Sequence, residues 1–229
     1  MRSQTWWAAL LFVLPWVVVY ELGTWYFTYD PAAQTEQRIV AFSLLRDSLA
    51  ALGASARWVA PASVISILLG LSLLHRERRG LPLTTIVGMH VESMALALPI
   101  LLLGMAIVRL PLANAVTPEP LGEAVILSIG AGVYEELVFR LIAMTALHFF
   151  FVDFLLMRSH WATPLTIVIS ALIFSLYHYW GPEQFSPQTF VFRTLAGLYF
   201  GGVMISRGFG VTVGSHAGYD ICIVLLRST

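Results

Sequence analysis

The chain has 229 residues, of which 58% are hydrophobic and 11% charged, and its thirteen basic residues, all arginine, balance thirteen acids. A soluble domain carries about 25% charged residues to cover its surface. The composition, with a mean hydropathy of +0.80, therefore excludes a soluble globule and points to lipid-embedded helices that satisfy their own backbone groups. Zero net charge leaves no electrostatic footprint for a nucleic-acid partner, and the lone Cys222 cannot form an internal disulfide.

Apolar stretches near the length needed to cross a bilayer, about 20 residues, fall at 6–27, 54–74, 86–108, 121–150, 162–180, 189–206 and 210–227. They predict an all-α, polytopic membrane bundle of about seven spanning helices, built as a single transmembrane domain over residues 1–229. The first stretch follows Arg2 but lacks a small-residue cleavage site before Thr24, Tyr26 and Tyr29, so it reads as a retained span. Residues 37–52 set Arg38, Arg46 and Asp47 among apolar neighbours. That pattern predicts an interfacial amphipathic helix, or an extension of the second span that would make an eighth crossing.

Breaks between spans carry the expected punctuation. A charged loop runs from His75 to Gly80, Pro111, Pro118 and Pro120 precede the fourth span, Gly181-Pro182 closes the fifth, and Gly208 and Gly210 turn the chain into the last. Tryptophans and tyrosines crowd several ends, as interfacial belts do. The cluster Arg76, Arg78 and Arg79 predicts that this loop and the N-terminus both face the cytoplasm. Arg57, at the start of the second span, is expected to snorkel to the interface.

Ionisable residues within spans are the informative ones, because an unpaired charge in hydrocarbon is costly. In Gly132-Val-Tyr-Glu135-Glu136-Leu-Val-Phe-Arg140, adjacent acids differ by about 100° around a helix and cannot point the same way. Glu136 and Arg140, four apart, can pair on one face, which leaves Glu135 to find another partner. His178 ends the fifth span, and His216 and Asp220 share one face of the seventh.

If these three spans converge, they bring two carboxylates and two imidazoles into one cavity. Such a set suits hydrolysis, with Glu135 polarising a water, His178 orienting it, and His216 donating to a developing oxyanion. The same residue types would also serve a buried network that pins helices together, or a zinc site. A small transporter with Glu135 as proton relay would show matching broken spans, and none is visible. His90 and Glu92 read as packing or interfacial residues, and His75, His148 and His160 as span-end or loop histidines. With the predicted boundaries, His178 and His216 differ in depth by roughly 14–15 Å, so convergence demands tilt, shifted helix starts, or a kink near Gly201-Gly202 or Gly208–Gly210.

Glu-Glu-x-x-x-Arg at 135–140, Phe-x-x-x-His at 174–178 and His-x-x-x-Asp at 216–220, in this order on late helices, resemble the CAAX prenyl endopeptidase and bacteriocin-processing (Abi) family. The resemblance covers residues 118–227 and implies a catalytic core there, a glutamate-dependent intramembrane endopeptidase without cofactor or metal. It implies membrane-bound or lipidated peptide and protein substrates, and residence in the lipid bilayer of a bacterial inner membrane. By position in the motifs, Glu135 and His178 would activate water and His216 and Asp220 would serve the oxyanion side, with Glu136, Arg140 and Phe174 in support. A catalytically idle relative would act instead as a binding or bacteriocin-immunity scaffold. The family often has Asn where this chain has Asp220. An ionised carboxylate cannot donate to an oxyanion, so orienting His216 is the expected role of Asp220.

Overall fold

The computed structural model describes residues 2–30, 35–54, 58–77, 80–107, 120–180 and 183–228. Among the described residues, six helices are long and apolar enough to cross a membrane: Trp6–Phe27, Leu83–Ile107, Leu121–Phe154, Ser159–Trp180, Pro187–Arg207 and Phe209–Ser228. The protein is an all-α integral membrane bundle, with one antiparallel pair of two-residue strands, Tyr29–Asp30 and Thr35–Glu36. Its helices are α1 (Trp6–Phe27), α2 (Val40–Ala51), α3 (Val59–Leu74), α4 (Leu83–Ile107), α5 (Leu121–Gly130), α6 (Met144–Phe149), α7 (Ser159–Tyr177), α8 (Pro187–Arg207) and α9 (Phe209–Ser228). A π-helical segment, Ala131–Ala143, joins α5 to α6, and a second, Phe150–Phe154, completes this continuous 34-residue helix.

The predicted second span is present as a shorter apolar helix. Of residues 54–74, α3 takes 16, about 24 Å of rise, so it is not among the six long helices. Nor does α2 extend it. Gly53 adopts φ 91°, and the amide of Ala54 bonds back to the Leu49 carbonyl at 2.9 Å. This wrapped C-terminus halts α2 after 12 residues. At about 18 Å, α2 is too short for an eighth crossing. Arg57, Arg78, Arg79, Pro111, Pro118, Gly181 and Pro182 lie outside the described residues.

One end of the bundle is tied together by polar contacts. The Glu77 carboxylate accepts the Trp6 and Trp7 amides at 3.0 and 2.7 Å, an anionic cap on the N-terminus of α1. The Gln4 amide donates to the Ser206 carbonyl, and Arg207 binds Glu92 of α4 at 2.8 Å. The N-terminus, the loop after α3 and the α8–α9 turn therefore share one face, and α3 makes the return from α2. His90 packs on Phe12, ring centroids 4.3 Å apart, and so has a packing role, as does the paired Glu92.

The buried centre is α9. Gly210, Gly214 and Gly218 form a stripe facing Met89, Ser93 and Met94 of α4, where an added Cβ would come within 2.8, 2.5 and 2.9 Å of those side chains. Small residues let membrane helices approach backbone to backbone. On its other side α9 meets the π-helical segment just as closely. A Cβ on Gly132 would sit 2.6 Å from that of Ala217, which draws His216 up to the two glutamates.

Candidate active site

The glutamates lie in the middle of the π-helical segment, a wider turn than the α-helix and a form often found at functional sites. The expected divergence of adjacent acids takes a particular form here: they flank a single ring. Glu136 Oε1 lies 2.6 Å from His216 Nδ1, and Glu135 Oε2 lies 3.8 Å from His216 Nε2. The other oxygen of Glu136 meets Arg140 Nε at 3.2 Å, the pairing expected from their spacing. Glu136 and Arg140 are fully buried. The guanidinium also sits 4.1 Å over the ring of Phe174, a cation–π contact in a dry setting.

His178 caps α7 and folds back on it, with Nδ1 2.8 Å from the Phe174 carbonyl. A carbonyl only accepts, so Nδ1 carries a proton, and in the neutral ring Nε2 would present a lone pair. That nitrogen faces Glu135 Oε2 at 3.9 Å. His216 is stacked on Phe200 with centroids 4.9 Å apart, and meets the edge of Phe174 at 6.1 Å. Asp220 Oδ2 lies 3.4 Å from His216 Nε2. The shortest carboxylate contact to His216 thus comes from Glu136, on the opposite ring nitrogen from Asp220.

The expected depth gap between the imidazoles is bridged without a kink at Gly201-Gly202, since α8 is unbroken from Pro187 to Arg207. Phe174 touches both rings, and a single Glu135 oxygen lies within 3.9 Å of both Nε2 atoms. Among the described residues, no three His, Cys, Asp or Glu side chains are grouped to hold a metal ion.

Residues 117–222 match the family model for type II CAAX prenyl endopeptidases, Rce1-like. The chain carries a CAAX prenyl endopeptidase domain. That domain, residues 117–222, has the fold of an intramembrane protease of this family, with Glu135, His178 and His216 in contact at its centre. No curated protein and no solved structure matches the chain.

The CAAX protease match spans every residue singled out from the three motifs, and excludes α1 to α4. A cavity of about 330 Å³ opens beside the glutamate, bordered by Glu135, His178, His216 and Asp220, with Phe192 and Tyr219 among its apolar walls. Its lining reaches Thr189 at the start of α8 and Arg227 at the end of α9. These ends lie opposite the face that holds the N-terminus. His75, His148 and His160 stay outside the cavity, bonding or stacking near helix ends.

Two contributions escaped the sequence reading of this CAAX protease domain. The Tyr177 hydroxyl donates to Glu135 Oε1 at 3.4 Å, and Tyr134 donates to Glu21 of α1 at 3.2 Å. Glu21 did carry a signal, an acid late in an otherwise apolar span. Tyr177 carried none, because tyrosines near span ends are common as interfacial anchors.

Proposed function

We propose that the protein is an endopeptidase that hydrolyses peptide bonds of membrane-bound or lipidated substrates with a water activated by Glu135. The observation that carries this reading is the placement of one Glu135 oxygen 3.9 and 3.8 Å from the Nε2 atoms of His178 and His216. These separations are too long for direct hydrogen bonds and suit a bridging water. Glu135 takes a proton from that water, and the Nε2 lone pair of His178 orients it toward the scissile carbonyl. Both nitrogens of His216 face carboxylate oxygens, which only accept, so both can carry protons. Its Nε2–H is then the donor for the tetrahedral oxyanion. Collapse of that intermediate breaks the C–N bond, and the proton held by Glu135 passes to the leaving amine. The apolar cavity walls suit a lipidated or transmembrane peptide.

The direct test is cleavage of internally quenched peptides, isoprenylated or transmembrane, by purified protein in lipid nanodiscs. Wild type is expected to cleave in the presence of a chelator, and His178→Ala to lose about 10²-fold or more in kcat. Cleavage that vanishes with chelation and returns with zinc would overturn the mechanism. Asp220→Asn is expected to keep most of the activity. Glu136 still holds His216 through Nδ1, and the new amide can itself donate to an oxyanion. Asp220→Ala lacks both properties and should be the slower of the two, in the same assay.

We further propose that the N-terminus is cytoplasmic, on the strength of Arg76, Arg78 and Arg79 in the sequence and of the bonds from the Trp6 and Trp7 amides to Glu77. The cavity mouth then opens on the opposite side of the membrane. In a Cys222→Ser background, a cysteine at Ser228 is expected to react with an impermeant maleimide added outside intact cells, and one at Ser3 not to. The reverse labelling pattern would invert the orientation.

A further inference from the structure

A second buried charge cluster joins Glu21, Glu36 and Arg38, which lie outside the family-matched residues, to Tyr134 within them, on the far side of the π-helical segment from the cavity. Tyr134, fully buried, donates its hydroxyl to Glu21 Oε1 at 3.2 Å. The other oxygen of Glu21 pairs with Arg38 Nη2 at 3.0 Å. Arg38 also bonds Glu36 through Nε at 3.0 Å, and its guanidinium sits 4.6 Å over Phe42. Burial disfavours the Arg38 charge, yet Glu21 and Glu36 outweigh it and hold the guanidinium above its ordinary pKa. The rings of Tyr20 and Phe42 close on Tyr134 at 5.4 and 5.0 Å.

Such a cluster is weak as a stabilising device. Replacing a buried ion pair by well-packed apolar residues is often neutral or favourable, and an acid within a spanning helix argues for a role beyond cohesion. Its position suggests which role. Tyr134 and Glu135 are consecutive in the π-helical segment, one turned toward Glu21 and the other toward His178 and His216. Anchoring the phenol therefore fixes the rotation of the segment about its axis. Gly130, one turn earlier, has no side chain, and the Tyr20 ring occupies the place a Cβ would take. Gly132 does the same for Ala217 of α9. The glutamate-bearing turn is clamped between α1 on one side and α9 on the other.

We propose that Glu21, Arg38 and Tyr134 are positioning residues for Glu135, through which the N-terminal part of the chain sets the reach of that carboxylate toward both imidazoles. This inference rests on the peptidase reading of Glu135. Misplacing a reacting group by about 1 Å can cost as much as 10²-fold in rate.

Tyr134→Phe removes one oxygen and keeps the ring; Glu21→Gln keeps an acceptor for Tyr134 but takes the charge from Arg38. In nanodiscs, each is expected to lower kcat about tenfold with KM unchanged, and the double variant to be no slower than the slower single one. The imidazole ¹⁵N signals of His178 and His216 should shift in both variants, while those of His75, His148 and His160 stay in place. A purely structural role would lower the thermal midpoint and leave kcat per folded molecule at its wild-type value. Unmoved imidazole signals with wild-type kcat would overturn the proposal. Should the wild type cleave no peptide at all, the peptidase reading fails, and the imidazole signals alone decide whether the clamp exists.

Discussion

Glu135→Gln is expected to lower kcat by about 10³-fold, within the 10²–10⁴ range of general base catalysis, while the protein remains folded. The amide has nearly the shape of the carboxylate, and its carbonyl oxygen can still accept from Tyr177. What it loses is basicity. At 3.8 and 3.9 Å from the two Nε2 atoms, Glu135 Oε2 is, among the described residues, the one carboxylate oxygen that faces both imidazoles. A loss of 10³ in rate corresponds to about 4 kcal/mol in the barrier. The check is kcat on an isoprenylated quenched peptide, with the thermal midpoint measured on the same preparation. Retention of a tenth of the wild-type rate by a folded Glu135→Gln protein would remove Glu135 from the chemistry.

Glu136→Ala is expected to act first on stability, and more severely. Glu136 is the nearest ionic partner of Arg140 at 3.2 Å and the acceptor for His216 Nδ1 at 2.6 Å, and all three side chains are buried. Truncation leaves a guanidinium without its counter-charge, a change that costs about 3–5 kcal/mol when one partner of a buried pair is removed. Scanning fluorimetry in mild detergent should show a large fall in the thermal midpoint, with activity lost alongside it. Adding Arg140→Met removes the stranded charge and should recover most of the stability but little of the activity, since His216 stays unanchored. A double variant as unstable as Glu136→Ala alone would show that the pair is not what makes Glu136 necessary. Glu136→Gln separates the two duties, because its amide oxygen still accepts from Nδ1 while the charge on Arg140 goes unanswered.

Much of this was legible in the residues themselves. Apolar runs near bilayer length predicted five of the long helices to within a few residues at either end, and the fourth from Leu121 but only to Phe150, short of its end at Phe154. Lipid rewards continuous apolar sequence, so spans are local properties of the chain. The second span is shorter than predicted, as α3, and hydropathy does not register the wrapped stop at Gly53 that keeps α2 apart from it, a matter of φ and of the Ala54 to Leu49 hydrogen bond. Pairing of Glu136 with Arg140 followed from their spacing, as a same-face contact within one helix must.

The relations between helices were of another kind. An ideal 100° step sends adjacent glutamates apart, and only the π-helical turn pressed against α9 sets both around His216. Ideal rise likewise separates His178 from His216, yet one Glu135 oxygen lies 3.9 and 3.8 Å from their Nε2 atoms. Glu21 and Arg38 are distant in sequence from the motifs, so their tie to Tyr134 depends entirely on how α1 packs. Composition and local spacing by themselves determined the membrane class, most of the spans and the residues rich in chemistry, because hydrophobic length and helical periodicity are encoded within single segments. Which atoms of those residues meet, and that the N-terminal helix holds the glutamate turn from behind, was decided by tertiary structure alone, because helix rotation and depth are set by close packing at glycines on neighbouring helices.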